Sequence, residues 1–402
     1  MREYPAMRSA LLVAALLAPL AAHAGSGSAP VIGGTDAPAG KYPDVAATMA
    51  PDGYQECTGT LVAPTIVLTA DHCIDVGGGG RPASPSAVVV GTSTLARKTD
   101  GDIIQVTART GYPNGRRTYD VGVLVLAQAS RMTPRPLATG WASLDIKNGA
   151  AAILAGYGAV DRNSTMYKNE LQEAETVITD AGCTTSAGCN SLAKPNGELG
   201  AGGMGIDTCP GDSGGPLYLV TSYGTFLAGV TSRGYDDNQF DCSEGGIYTR
   251  PDKIADWIEE TAGVKIARGP EPTFEPLVAV RGHAAETTIA PNDPLGGEHT
   301  FAITTPPAYG KAAIREDGRL RVCTDAGVAG SDAIVVTITD KGDSTRALTV
   351  RMPIEITDGD AGSGCDPEDF GETGGCCDAG RSATGSVPLA AAVLLMLRRR
   401  RR

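Results

Sequence analysis

Histidine is scarce in this chain, with four in 402 residues, and only His72 falls between Val31 and Arg268. Any chemistry in that span that needs an imidazole therefore has a single candidate. Charged residues amount to only 20%, while 53 Gly and 26 Pro punctuate many short Val/Ile/Leu/Thr runs; this balance disfavours a helical protein and favours an all-β one. The only dense basic run is Arg398–Arg402 and the net charge is −12, so no phosphate-binding surface and no nucleic-acid partner are expected. Long apolar runs are also missing. The N-terminal ALLVAALLAPLAA and the stretch from Val387 to Leu397 both fall short of the roughly 18–20 residues that span a bilayer.

What is present divides the chain into segments. Arg2 and Arg8, the short apolar run and the small residues around Ala22-His23-Ala24 read as a signal peptide over 1–24, with a short propeptide at 25–30. Export implies an oxidising compartment, where the ten cysteines are read as disulfides. From 31 to 267, runs such as TIVLTA, SAVVVGTSTL, DVGVLVLA, AAILAGYG and LYLV alternate with Gly/Pro/Asn/Asp turns, a rhythm that suits a barrel or sandwich. RPDKIADWIEETAG closes this segment as a helix with Ile254, Trp257 and Ile258 on one face. A Pro-rich linker at 268–273 leads to a second β segment at 274–357 that fits a small sandwich. Residues 358–402 form a Gly/Asp/Cys linker and a tail in which Cys376-Cys377 precede the apolar run and the arginines.

The stretch DTCPGDSGGPL, residues 207–217, crowds turn formers around Ser213 just ahead of an apolar strand. A serine hydroxyl is a poor nucleophile at neutral pH and needs a base, which makes His72 in VLTADHC its partner. That base needs a buried carboxylate to hold its tautomer. Asp120 fits, since TYDVGVLVLA places it directly before a run that must be buried; Asp71, adjoining His72, and Asp100 and Asp102, read as lying in a polar turn, compete for the role. Gly211 to Gly215 also satisfies the G-x-S-x-G elbow of α/β-hydrolases, but that fold wants a helix after the serine and a histidine after it in the same domain. Here a strand follows. Asp100 and Asp102 are too few ligands to claim a Ca²⁺ site, and neither a metal nor a cofactor is expected.

Taken in order, VIGG, TGTLVAPTIVLTADHC, YDVGVLVL, AGYG, DTCPGDSGGPL, GVTSRG and GGIYTRPDKIADWI resemble the chymotrypsin-like (trypsin-family) serine peptidases. The resemblance implies a double β-barrel with a C-terminal helix and a triad of His72, Asp120 and Ser213. It implies an oxyanion hole from the N–H groups of Gly211 and Ser213, and a specificity pocket with Asp207 at its base and Ser232, Gly234 and Gly246 along its walls. Cleavage after Arg or Lys is then expected. By the same resemblance Asp212 pairs with the α-amino group of Val31 once the preceding segment is removed, so the protein is made inactive. It also implies the disulfides Cys57–Cys73 and Cys209–Cys242, which leave Cys183 and Cys189 to close a small ring; Cys323 and Cys365 are candidates for a further pair. The second β segment resembles the cadherin-like and immunoglobulin-like repeats of bacterial surface proteins and is expected to act as a spacer. The tail resembles myxobacterial-type sorting tags, implying a sorting peptidase, transient membrane contact and a secreted or cell-surface location.

Three positions depart from the family pattern. Asp71 replaces a small apolar residue beside His72, and is expected to shift activity to higher pH if its carboxylate lies near the imidazole. Arg233 replaces an aromatic residue that packs against substrate, which suggests a taste for acidic or extended substrates. Pro30 precedes Val31 where Arg or Lys is expected, so a different activating peptidase is implied. The leading expectation is a secreted serine endopeptidase acting on proteins or peptides. A catalytically weak protease-fold binding or adhesion protein is the alternative.

Overall fold

The computed structural model describes residues 31–78, 82–115, 118–193 and 197–370. The expected signal peptide, propeptide and sorting tail, with Cys376 and Cys377, lie outside the described residues. Two compact units emerge, the first reaching Thr273 and also taking in Ala290–Thr300 and Ile338–Leu348, the second holding the remainder from Phe274.

The first unit is built from two barrels. Strands β1 (Thr35–Asp36), β2 (Val45–Met49), β3 (Gln55–Ala63), β4 (Ile66–Thr69), β5 (Ala87–Val90), β6 (Asp102–Gly111) and β7 (Gly122–Leu126) come first in the chain. β2 to β7 close into a barrel in the order β2-β3-β4-β7-β6-β5. Its interior is aliphatic, with Leu61, Val67, Val88, Val90, Ile104 and Leu124 forming one buried cluster. β4 and most of β7 are buried along their length, as expected of strands written almost wholly in Val, Ile and Leu. β8 (Ala151–Gly156), β9 (Gln172–Asp180), β10 (Glu198–Ala201), β11 (Pro216–Thr221), β12 (Gly224–Gly234) and β13 (Gly246–Thr249) form a second sheet that closes through pairing of β8 with β9, while β1 adds to its β9 edge. Leu154, Ile178, Leu199, Leu217 and Tyr248 fill it.

A 3-10 turn at Pro251–Ile254 runs into helix α1 (Ala255–Ala262), which ends at Gly263 with φ 67°, a left-handed cap that glycine adopts without strain. Ile254 and Ile258 pack with Leu68 and Val123, and Trp257 lies against the same cluster. All-β architecture with a terminal helix is thus observed as expected.

β9 is largely polar and β10 has only four residues, so neither is obvious from composition. QEAETVITD buries Gln172, Ala174, Ile178 and Asp180 on one face and leaves the other toward water, the alternation of an antiparallel strand. Near the first barrel a buried ion pair links Arg135 and Asp44, with Nη2 donating to Oδ1 at 2.6 Å and Nε to Oδ2 at 3.1 Å. The Tyr218 hydroxyl donates to the same carboxylate at 2.5 Å.

After the first unit's helix come β14 (Leu277–Val280), β15 (Ala284–Thr288), β16 (His299–Thr305), β17 (Gly310–Ile314), β18 (Arg319–Thr324), β19 (Gly330–Asp340) and β20 (Ala347–Thr357). They make a four-stranded sheet in the order β14-β20-β19-β16 and a three-stranded sheet β15-β18-β17. Among the described residues four disulfides are formed: Cys57–Cys73, Cys183–Cys189, Cys209–Cys242 and Cys323–Cys365. No helix among the described residues is long and apolar enough to cross a membrane.

Candidate active site

The pairing register brings His72 and Asp120 together. β4 and β7 run antiparallel with Thr69 opposite Gly122, so the residues just past the end of β4 face those just before the start of β7. His72 sits in the short turn Asp71–Cys73, and the Cys57–Cys73 bridge fastens that turn to β3. Its Nδ1 lies 2.8 Å from Asp120 Oδ2, and its backbone N–H donates to Oδ1 at 3.0 Å. Asp120 is 2% exposed. Burial pushes its carboxyl pKa up, but the hydrogen bonds from His72 and Ser232 outweigh that and hold it below the ordinary aspartate value. Nδ1 faces the carboxylate, which leaves Nε2 as the ring nitrogen that Asp120 does not engage.

The competing carboxylates lie elsewhere. Asp102 is not in a polar turn but begins β6, buried, where it accepts from Ser130 and from the Arg131 backbone and guanidinium. Asp100 pairs with Arg97. Asp71 lodges its carboxylate in a notch beside Gly111 and Gly115, where any side chain at either position would collide with it.

Ser213 comes from the second barrel, in the loop entering β11. Gly214 has φ 80°, and a Cβ there would run into Thr58 O and Ala70 N, so the loop passes against the first barrel as only glycine allows. Thr58 N–H donates to Ser213 O at 2.9 Å, and Gln55 Nε2 and Thr58 Oγ1 both donate to Gly211 O at 2.9 Å. Gln55 and Thr58 were not singled out from the sequence; their one signal is position on either side of Cys57. His72 and Ser213 line one cleft of about 220 Å³ together with Thr208, Ser232, Arg233 and Gly234.

The sequence model of the family described as Trypsin matches residues 31–258. The chain belongs to the trypsin family. A trypsin from Saccharopolyspora erythraea is 33% identical over 209 residues, covering 51% of this chain and 86% of that protein. Glucanase inhibitor protein 1 from Phytophthora sojae is 31% identical over 265 residues, covering 64% and 98%. Among solved structures the chain is similar to neuropsin, a serine protease of mouse brain, at 26% identity with coverage of 57% and 98% and a TM-score of 0.46.

Within this trypsin-family domain, Asp207 is 1% exposed and its carboxylate accepts backbone N–H groups from Thr208, Ser243 and Gly245 at 2.8 to 3.0 Å. Burial dominates and pushes its pKa up to about 6. Gly246 and Gly202 pack against it, with ideal Cβ positions 3.6 and 3.7 Å from Oδ1, and Asn238 braces the wall by donating to Gly245 O. Asp212 is fully buried; Gly158 N–H donates to its Oδ1 at 2.7 Å and Cys209 N–H to Oδ2 at 2.9 Å. Burial again raises its pKa, here to about 7. Val31 is buried in the second barrel's core, and Ile32 O accepts from Asp207 N–H at 3.2 Å, so the segment that begins at Val31 runs beside the loop that carries Asp207.

Proposed function

We propose that the protein is an exported serine endopeptidase that cleaves after Arg or Lys. The observation that carries this reading is the His72–Asp120–Ser232 hydrogen-bonded array facing Ser213 across one cleft. In the family's chemistry Ser213 Oγ attacks the scissile carbonyl while His72 Nε2 takes its proton, and Asp120 steadies the imidazolium that forms. The oxyanion is received by the N–H groups of Gly211 and Ser213, each donor worth about 3–4 kcal/mol to the transition state. The proton then passes from His72 to the leaving amine, and water resolves the acyl-enzyme by the same steps.

Asp207 supports the basic preference: a buried carboxylate with a raised pKa gains most from a guanidinium or ammonium partner, which restores its charge at low cost. Asp212 supports activation by cutting after Pro30, since the freed α-amino group of Val31 supplies a cation for a fully buried carboxylate. A separate activating peptidase makes that cut, a sorting peptidase acts at the tail, and residues 274–357 act as a spacer at a bacterial cell surface. The binding-protein reading draws its support from the relative named a glucanase inhibitor.

The deciding experiment is cleavage of a peptide library varied at the residue before the scissile bond, using protein trimmed to begin at Val31 and its Ser213→Ala variant. Cutting after Arg and Lys that vanishes in the variant supports the proposal. Cutting elsewhere keeps the peptidase and removes the Asp207 assignment, whereas no Ser213-dependent cutting puts the binding protein first. Deleting residues 268–402 tests the spacer: peptide cleavage should persist while surface attachment is lost.

A further inference from the structure

Arg233 stands on β12 beside the cleft, and its guanidinium does not reach freely toward substrate. Its fork closes on Glu198 of β10, Nη1 to Oε1 at 2.9 Å and Nη2 to Oε2 at 3.0 Å. Glu198 is 2% exposed and Arg233 is half-buried, so this is a bidentate pair with its carboxylate sealed from water, a geometry of the strong kind. An acidic substrate group would have to compete with a partner already in place, which removes the expectation that Arg233 recruits acidic substrates.

The remaining contacts of Arg233 point at the catalytic machinery. Nη1 also donates to Ser232 Oγ at 3.1 Å. A hydroxyl that accepts from a guanidinium has its own proton left to give, and Ser232 Oγ lies 2.7 Å from Asp120 Oδ2. Asp120 Oδ2 is the same oxygen that meets His72 Nδ1 at 2.8 Å. An unbroken series of hydrogen bonds therefore runs from the Glu198 carboxylate through Arg233, Ser232 and Asp120 to His72.

The same pair anchors the loop closed by Cys183–Cys189. Arg233 Nη2 donates to Gly188 O at 2.6 Å and Asn190 N–H donates to Glu198 Oε2 at 2.7 Å. Asn190 Nδ2 in turn donates to Thr118 O at 3.3 Å, just ahead of Asp120. The charged and titratable groups around the series are His72 and Asp71 from the turn after β4, Tyr119 beside Asp120, Glu198, Arg233, and Asp241 on the cleft rim. Glu198 balances the charge of Arg233, so the pair's contribution is direction and not net potential.

We infer that Arg233, locked by Glu198, is a positioning residue for the triad: it fixes the Ser232 hydroxyl so that its proton stays on Asp120 and Asp120 stays on His72. The inference rests on the serine-peptidase reading, and its test separates the two. The reagent is phenylmethylsulfonyl fluoride, whose reaction at Ser213 Oγ expels fluoride and needs the His72 base but not the Asp207 pocket. In the chain beginning at Val31, Arg233→Met combined with Glu198→Gln removes the series without leaving a buried unpaired carboxylate. Losing one well-directed hydrogen bond corresponds to about a tenfold slower sulfonylation. Arg233→Lys, which keeps the charge but cannot hold Glu198 and Ser232 together, should fall between. In a Ser232→Ala background the same double change should add less than about twofold, because coupled residues are not additive.

Wild-type rates in the Arg233→Met/Glu198→Gln protein, or an equal loss with and without Ser232, would overturn the inference. If the parent protein is not sulfonylated at all, the peptidase reading fails, and the proton resonance of His72 Nδ1 still decides this one. It should shift on Arg233→Met/Glu198→Gln substitution with Ser232 present, and an unmoved resonance refutes the positioning role.

Discussion

Replacing Asp212 by Asn in the chain that still carries its residues before Val31 isolates one buried charge. The carboxylate is fully buried, takes two backbone N–H groups, and has its pKa raised by burial to about 7 from an ordinary 3.8. A group whose pKa is higher folded than unfolded stabilises the fold while protonated and withdraws that stability as pH climbs toward the folded pKa. At about 1.4 kcal/mol per unit, the rise corresponds to about 4 kcal/mol lost between roughly pH 4 and 7. Asparagine has the same shape and does not ionise. Urea unfolding at about pH 4.5, 6 and 8, a range that begins after the first part of that loss, should show the parent losing stability steeply and the variant losing about 3 kcal/mol less, so that the variant is the more stable protein at the highest pH. Asp207, raised to about 6 by its own burial, contributes slope to both proteins over part of the window. Removal of the segment before Val31 should invert the result, since a carboxylate paired with an α-amino group stabilises the fold only when ionised. Identical pH slopes in the uncut parent and variant would refute the reasoning.

Other outcomes follow from the same geometry. Asp120→Asn should preserve folding but lower kcat by about 10⁴, because the amide holds the wrong tautomer of His72; steady-state kinetics on a cleaved peptide reads it. Asp207→Ser should remove about 2–5 kcal/mol of discrimination for Arg and Lys over neutral residues, measured as ratios of kcat/KM. Arg135→Met strands Asp44 and Tyr218 in the interior without their cation and should cost about 3–5 kcal/mol of stability by urea unfolding, with little change in kcat for the protein that remains folded.

The candidate site was legible in the sequence where a residue's surroundings left no alternative. His72 was the one imidazole in its span, and Asp120 preceded a run too apolar to be anything but buried. Ser213 announced itself through glycines, and the structure shows the physical need, with Gly214 at positive φ against Thr58 and Ala70. Strands written in Val, Ile and Leu were equally readable. β9 and β10 were not: β9 buries only alternate positions and carries Glu and Thr between them, and β10 is a buried run of just four residues, ELGA, that includes a Glu and a Gly. Glu198 was lost with β10. Its role depends on the pairing of β10 with β13 and of β13 with β12, which brings it beside Arg233 from 35 residues away, and no local pattern encodes such a meeting. Asp102 misled for a related reason: beside Asp100 and Gly101 it looked like a turn residue, and only the arrival of Ser130 and Arg131 makes its burial tolerable.

The contact of Thr58 with Ser213, and of Gln55 and Thr58 with Gly211, has a mechanical meaning. His72 and Asp120 ride on one barrel, Ser213 and Gly211 on the other, and three hydrogen bonds from a single strand stitch the seam between them. Buried side chains from both barrels pack together along the same seam, and near-attack geometry would not survive a shift of an ångström there. On the peptidase reading proposed above, turnover is therefore a gauge of alignment between two halves.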